Sequence, residues 1–310
     1  MTMLRQAIDS YLALRRSLGF KLRDTSICLH NFAQFMEERH TDYVRRELAV
    51  EWATQPRNAL ASAWAQRLAY VRGFAEYQSA TDPRTEIPES GLLPYRRVRP
   101  QPHIYSDEEV QRLLDGAKSL TPEDSLRPHT YYCFFGLLAV TGLRTREALN
   151  LKREDVDLSA GVLTIRQTKF RKSRLVPVHS STQEKLAEYA ARRDTSLRPA
   201  SEPRFFINEH GRALYPDCVW QTFREVGLAV GLWRHTDQRK PRLHDLRHTL
   251  AVRTLIAWYR AGEDIERRLP ALSAFLGHGR VEDTYWYLSF YPELRKLAAD
   301  RFEKRWEGLP

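Results

Sequence analysis

The segment DPRTEIPESGLLPYRRVRPQPHIYS contains five prolines and constrains the fold more than any other part of the chain. Proline fixes the backbone angle φ and lacks an N–H donor, so neither a helix interior nor a central strand accommodates such a run. The segment therefore predicts a linker at residues 93–104 between two domains, residues 1–92 and 105–310. The linker also carries three basic side chains, Arg96, Arg97 and Arg99. They are equally consistent with a solvated connector and with phosphate contacts.

The region before the linker is predicted to be all-helical. Apolar residues recur mostly at three- and four-residue intervals in residues 4–20 and again in residues 27–36, which is the period of an amphipathic helix. Similar patterns predict helices near residues 48–53 and 60–77. The chain of 310 residues is long enough to give each of two domains its own core.

The region after the linker is predicted to be mainly helical with a small antiparallel hairpin, an α+β fold. A capping box runs from Ser106 to Glu109 and starts a helix. The apolar run YYCFFGLLAV predicts a buried helix ending near Gly142, and the next helix begins around Thr145. The β-rich runs GVLTIRQT and SRLVPV flank the sequence KFRK and predict a hairpin with a basic tip. Further helices are predicted near residues 180–193, 216–230, 244–260, 266–275 and 292–306.

The charge of the chain favours a polyanionic partner. Forty-nine Lys and Arg residues against 39 Asp and Glu residues give a formal net charge of +10, which favours nucleic acid first and an acidic membrane surface second. No apolar run approaches the roughly 20 residues of a membrane span, and the start of the chain is amphipathic rather than signal-like, so we expect a cytoplasmic protein. The three cysteines lie too far apart for a disulfide framework or a zinc site and are expected to be buried.

The sequence RLHDLRHT brings His244, Arg247 and His248 together on a predicted helix. Two histidines four residues apart occur at metal sites, but no glutamate stands in an H-E-x-x-H position and no third ligand is evident, so no metal is expected. His244 and Arg247 share a helix face, and an imidazole beside a guanidinium suits a phosphate oxygen. Taken alone, these two residues are more simply interpreted as a surface pair.

Two further features have a double meaning. Arg144 stands at a helix junction, where it either simply pairs with Glu147 or clamps a phosphate while Glu147 holds it in place. Near the end of the chain, LGHGRVEDTYWYLSFYP carries Tyr285, Tyr287 and Tyr291. These phenols either fill a core or include one that reacts.

Five motifs occur in order along residues 105–291. They are TGLRTREALNL, TKFRKSRLVPV, HDLRHT, LGH, and a tyrosine nine residues after that histidine. In this order they resemble the tyrosine recombinase, or phage integrase, family. The helical region and linker before them are similar to the DNA core-binding domain of that family. The resemblance implies a site-specific DNA recombinase that needs no metal, ATP or other cofactor.

The resemblance also implies roles for individual residues. Tyr287 would attack a phosphodiester and form a 3′-phosphotyrosyl link. A phenol with a pKa of about 10 is mostly protonated at neutral pH, so His244 is the expected proton acceptor, and Lys169 would protonate the leaving 5′ oxygen. His278 would hydrogen-bond the phosphate. The implied catalytic set is Arg144, Lys169, His244, Arg247, His278 and Tyr287, with Glu147 supporting Arg144 and with Arg96, Arg97, Arg99 and Lys172 binding DNA.

The expected partner is double-stranded DNA, bound by a homo-oligomer that in this family is a tetramer on two DNA sites, with or without other recombinases of the same element. A DNA-binding accessory protein without turnover, or a relaxing enzyme similar to type IB topoisomerases, would share the fold. The run DTYWYLS resembles recombinases of transposons, which implies integration, excision or transposition of a mobile element. Tyr285 is the alternative nucleophile. The last predicted helix would dock either on its own domain or on a neighbouring protomer.

Overall fold

The chain divides into two compact units, residues 1–100 and 101–310, and the division falls inside the predicted linker. The computed structural model describes residues 2–95, 101–166, 173–196, 202–233 and 240–307. Several predicted site residues lie outside these ranges: Arg96, Arg97, Arg99, Lys169 and Lys172.

The first unit is helical wherever it has regular structure in the described residues. Its helices are α1 (Met3–Ser17), α2 (Arg23–Glu38), α3 (Arg46–Thr54) and α4 (Ala61–Gln78). Their apolar faces meet in one core, in which the rings of Phe32 and Trp52 lie edge to face with centroids 5.1 Å apart. The four helices predicted from apolar spacing are confirmed, and each buries most of its apolar stripe, although Leu14, Leu18 and Ile27 are exposed.

The second unit is mainly helical with one small sheet, as predicted. Its elements in chain order are α5 (Asp107–Lys118), α6 (Leu126–Thr141), α7 (Thr145–Leu149), β1 (Val156–Asp157), β2 (Val162–Ile165), β3 (Arg174–Pro177), α8 (Ser180–Ser196), α9 (Pro216–Ala229), α10 (Leu243–Arg260), α11 (Ile265–Leu276), α12 (Glu282–Phe290) and α13 (Pro292–Glu307). One apolar cluster lies around α6 and the sheet, and a second lies among α10, α11, α12 and α13.

The sheet is antiparallel in the order β1-β2-β3. Leu163 pairs with Val176 and Ile165 pairs with Arg174, so the predicted hairpin is confirmed, although its tip lies outside the described residues. Leu163, Ile165 and Val176 are buried against the helical core, as the alternation of side chains along a strand requires. Strand β1 was not predicted, because two residues are too few to carry a periodic signal.

Side chains and glycines set the ends of the helices that carry the site. Ser106 Oγ accepts a hydrogen bond from the Glu109 backbone N–H at 3.1 Å, and the Glu109 carboxylate accepts one from the Ser106 N–H at 2.9 Å, which confirms the capping box. Gly142 ends α6 with φ +60°, and Gly277 ends α11 with φ +68°. These left-handed turns favour glycine, and they bring Arg144 and His278 to the edge of the core.

Helix α13 packs on its own unit rather than standing free. The Leu294 side chain is fully buried in the cluster with α10 and α11, and Glu293 pairs with Arg260 at 2.7 Å. These contacts agree with the first interpretation of this helix, and docking on a neighbouring protomer stays a prediction.

Two smaller expectations have different outcomes. Cys133 is buried, but Cys28 is only partly buried and Cys218 is exposed near the start of α9, so burial of all three cysteines was a wrong prediction. None of the helices in the described ranges has the length and apolar character to cross a membrane.

Candidate active site

The predicted site residues come from four places that are distant in sequence. Arg144 and Glu147 lie at the start of α7, His244 and Arg247 lie in the first turns of α10, and His278 follows the glycine that ends α11. Tyr287 lies within α12. The packing of α6 against α10, and of α11 and α12 against α10, brings these elements together.

One carboxylate organises the arginines. Glu147 Oε1 accepts a hydrogen bond from Arg144 Nη1 at 2.8 Å and from Arg174 Nη1 at 3.1 Å, and Glu147 Oε2 accepts one from Arg174 Nη2 at 2.8 Å. Arg174, the first residue of β3, also donates from Nε to the Phe275 carbonyl at 2.9 Å. Burial acts to raise the pKa of Glu147, but the hydrogen bonds and charges of Arg174 and Arg144 outweigh it, so the pKa is lowered and the group is ionised.

The same carboxylate fixes the orientation of Arg144. Its Oε2 accepts the Arg144 backbone N–H at 3.0 Å, and the Nη2 atom of Arg144 reaches the Gly277 carbonyl at 2.8 Å. Arg144 therefore connects α7 to the turn that carries His278. The guanidinium is held at defined points and is still partly exposed, so an anion can reach it.

Arg247 is the most deeply buried cation of the cluster, with 2% of its surface exposed. Its Nη1 atom donates to the Gly142 carbonyl at 2.8 Å, while its buried Nη2 atom meets no acceptor among the described residues. Burial, and then the positive charge of Arg144, lowers the pKa of Arg247 to about 10, which still leaves it charged at neutral pH. A buried donor without an acceptor is unfavourable, and an anionic oxygen would satisfy it.

The two histidines of α10 are both kept neutral. Burial, and then the charge of His244, lowers the pKa of His248 to about 3. His244 is exposed as a residue. Partial loss of hydration of its ring, and then the charge of the Arg247 guanidinium, lowers its pKa as well. The rings meet edge to face with centroids 4.9 Å apart. No set of three or more His, Cys, Asp or Glu side chains among the described residues is arranged to hold a metal ion.

Tyr287, and not Tyr285, points into this cluster. Its side chain is 1% exposed, whereas that of Tyr285 is 45% exposed. The Tyr287 hydroxyl lies 2.9 Å from His248 Nδ1, and its ring stacks on that of His278 with centroids 6.3 Å apart. His278 Nδ1 in turn lies 2.7 Å from Thr284 Oγ1.

The structure thus gathers Arg144, Glu147, His244, Arg247, His278 and Tyr287 around one region, while Lys169 lies outside the described residues. Sequence reasoning missed two members, Arg174 and His248. Arg174 stands at the edge of a predicted strand, where an arginine is usually solvated. His248 was weighed only as a metal ligand, although its four-residue spacing from His244 already placed it beside the same pocket.

Comparison with known proteins identifies the fold and its relatives. The sequence model of the phage integrase family matches residues 104–293. The chain is 50% identical over 311 residues to y4rB of Sinorhizobium fredii, which is named as an integrase/recombinase, with 99% of each chain covered. It is 29% identical to the tyrosine recombinase XerC of Azotobacter vinelandii, over 73% of this chain and 69% of that one.

Solved structures show the same architecture. The Tn1549 transposon integrase, in complex with transposon right end DNA, superposes with a TM-score of 0.69 and 15% identity over 98% of this chain and 99% of that one. The site-specific recombinase XerH, in a post-cleavage complex with its difH substrate, superposes with a TM-score of 0.67 and 19% identity over 90% of this chain and 79% of that one. At such low identity these two likenesses establish the fold.

Together the fold and the relatives define a site-specific recombinase of the tyrosine class. The chain belongs to the phage integrase family.

Proposed function

We propose that this protein cleaves and rejoins DNA strands with Tyr287 as the nucleophile. The phenol oxygen attacks the scissile phosphorus and gives its proton to His244, the assigned acceptor, so that a 3′-phosphotyrosyl bond forms. The bond from phosphorus to the 5′ oxygen breaks, and Lys169 protonates that oxygen. The observation that carries the assignment is the buried Nη2 atom of Arg247, which has no acceptor among the described residues. Arg247 is next to His248, and His248 is the hydrogen-bond partner of Tyr287. A non-bridging phosphate oxygen is the acceptor that such a donor requires.

Charge neutralisation is divided between two arginines. Arg247 supplies a buried donor, and Arg144 supplies a partly exposed guanidinium that Glu147 and the Gly277 carbonyl orient. Arginine carries a permanent charge, and His244 and His248 are neutral because their pKa values are lowered, so the pocket presents fixed positive charge to a phosphodiester. His278 adds a ring beside the phenol, and Lys169, which lies outside the described residues, is assigned as the acid for the leaving 5′ oxygen.

Double-stranded DNA is the proposed partner. A groove of about 750 Å³ opens beside His244, and its lining includes Trp220, Trp233, Lys240 and Arg242. Aromatic faces next to cations suit nucleic acid, and the net charge of +10 acts in the same direction. Arg96, Arg97, Arg99 and Lys172 are assigned as further DNA contacts, and the first unit as the core-binding domain.

The free protein holds its nucleophile in a buried position, since Tyr287 is 1% exposed. A phosphate must come within bonding distance of the phenol, so DNA binding has to be accompanied by a shift of α12. That helix is nine residues long and lies between the glycine turn of α11 and the start of α13. A shift of α12 would allow Tyr287 to attack a phosphate in the site of its own protomer or in that of a neighbouring protomer.

Trapping a covalent complex tests the assignment. Nicked duplexes made from the DNA that flanks the gene should give a covalent adduct with the wild-type protein and with Tyr285→Phe, but none with Tyr287→Phe. The two variants are matched, since each removes one hydroxyl from the same helix. An adduct with Tyr287→Phe would refute the assignment, and no adduct with any variant would favour a DNA-binding accessory protein without turnover.

The wider biological role is integration, excision or transposition of a mobile element by a tetramer on two DNA sites in the cytoplasm, with or without other recombinases of that element. The solved structure of a lambda integrase tetramer on a Holliday junction, with a TM-score of 0.60 and 16% identity over 89% of this chain and 77% of that one, is a precedent for such an assembly. If one DNA site suffices and the product is only relaxed, the enzyme is instead similar to a type IB topoisomerase.

A further inference from the structure

His248 is the side chain whose hydrogen bond to Tyr287 the structure defines, yet no role in the family resemblance falls on it. Its Nδ1 atom lies 2.9 Å from the phenol oxygen, and both residues are buried. The His248 ring also meets Trp286 and His244 edge to face, with centroids 5.7 Å and 4.9 Å away. The ring contacts with Trp286 and His244 therefore hold the His248 imidazole in one orientation.

The protonation state of His248 decides what the contact does. Its pKa of about 3, caused by burial and by the nearby His244, Arg242 and Arg247, keeps the ring neutral at neutral pH. A neutral imidazole offers one nitrogen lone pair, and a neutral phenol offers one proton, so the two groups match as acceptor and donor.

We propose that His248 is a positioning residue for the nucleophile, and that it holds the Tyr287 hydroxyl by accepting its hydrogen bond at Nδ1. This inference rests on the proposed function of Tyr287. The hydrogen bond sets the direction of the hydroxyl proton and restrains the phenol oxygen beside His248 Nδ1. The sequence predicted His244 as the proton acceptor of the phenol, and in the structure the His244 ring meets the His248 ring edge to face.

Two substitutions separate the hydrogen bond from simple packing. His248→Asn places an amide oxygen near the position of Nδ1 and keeps an acceptor, whereas His248→Phe fills the same space without one. A neutral hydrogen bond contributes about 0.5–1.5 kcal/mol, or roughly 2- to 13-fold in an equilibrium. If His248 acted only by filling space, His248→Phe would be the better tolerated of the two.

The first measurement needs no DNA. The purified full-length variants are treated with N-acetylimidazole, which acylates phenols, and the acylation of Tyr287 is divided by that of Tyr285, whose exposed side chain serves as an internal standard on the same helix. We expect the ratio to rise roughly 2- to 13-fold in His248→Phe and to stay near the wild-type value in His248→Asn. An unchanged ratio in His248→Phe, or an equal rise in both variants, would overturn the proposal.

The second measurement is the rate of covalent adduct formation on the nicked duplex. We expect His248→Phe to be slower than wild type by about the same factor and His248→Asn to recover most of the rate. His103→Phe is the matched control, since His103 bonds Glu109 at 2.9 Å in the capping box of α5, and its rate should be unchanged. Normal cleavage by His248→Phe would overturn the proposal.

The two measurements distinguish the possible failures. If the acylation ratio changes as expected but Tyr287→Phe still forms the adduct, the hydrogen bond stands and the proposed nucleophile is wrong. If Tyr287→Phe is inactive and the acylation ratio does not respond to His248, the nucleophile stands and the positioning role is wrong. Should His248→Phe not fold, His248→Leu provides the same loss of acceptor with a smaller side chain.

Discussion

Gly277→Ala should destabilise the protein far more than the same change at another left-handed glycine, because the guanidinium of Arg174 lies directly over Gly277. A β-carbon built on Gly277 would stand 2.5 Å from Arg174 Nη1 and 2.7 Å from its Cζ atom. The guanidinium is the end of a flexible side chain and can move away. Moving it, however, breaks its hydrogen bonds to Glu147 and to the Phe275 carbonyl.

The expected size follows from two contributions. An alanine held at a left-handed φ costs about 1 kcal/mol, and breaking a buried ion pair by removing one partner costs about 3 kcal/mol. Glu147 and Arg174 are 9% and 12% exposed, so solvent screening reduces the second figure little. The free energy of unfolding should therefore fall by about 4 kcal/mol in Gly277→Ala.

Urea denaturation of the wild-type protein and four variants measures the effect. Gly262→Ala is the matched control, since Gly262 has φ +71° and open space around its Cα atom, and it should lose only about 1 kcal/mol. In the Arg174→Ala background the guanidinium is gone, and Gly277→Ala should again lose only about 1 kcal/mol. Strictly additive losses in the double variant, or equal losses at the two glycines, would refute the reasoning.

Three further predictions concern charge and packing. Arg247→Met should abolish covalent adduct formation while leaving the thermal unfolding midpoint equal or higher, because a buried cation without an anionic partner contributes little to stability; a lower midpoint would contradict this. The pKa of Glu147 is lowered on folding, so the stability it contributes is complete above its unfolded pKa of about 4.3 and is lost as the pH falls through the folded value. The difference in unfolding free energy between the wild-type protein and Glu147→Gln should therefore shrink on acidification. Leu294→Ala should cost about 2–5 kcal/mol in the same denaturation assay, since Leu294 is fully buried, and a loss below 1 kcal/mol would show that α13 is not packed as described.

Local signals in the sequence anticipated the fold well. The capping box at Ser106 and the helix end at Gly142 were predictable because the groups involved lie within a few residues of one another. Helix α12 gave a weaker signal, since its inward side chains, Thr284 and Tyr287, are separated by polar and aromatic residues rather than by a regular apolar stripe. Proline alone predicted a domain boundary within residues 93–104, and the two compact units divide at Pro100.

Contacts between distant segments were harder to predict. Arg174 is 27 residues from Glu147 and 101 from Phe275, and nothing in its neighbours on β3 indicates that its guanidinium turns inward. His248 was visible as a histidine, but its role depends on the angle at which α12 crosses α10. The choice of Tyr287 over Tyr285 came from spacing within a motif, and the structure places that side chain in the cluster.

The shared carboxylate of Glu147 has a practical consequence for handling the protein. The guanidinium groups of Arg144 and Arg174 both pair with this one carboxylate, and Arg247 adds a third positive charge close enough to interact with it, so the pocket keeps a positive surplus. Sulfate and phosphate ions carry the same oxygen geometry as a phosphodiester and will compete for that surplus. Preparations in phosphate buffer should thus survive heating better yet start strand cleavage more slowly than those in a chloride buffer of equal ionic strength.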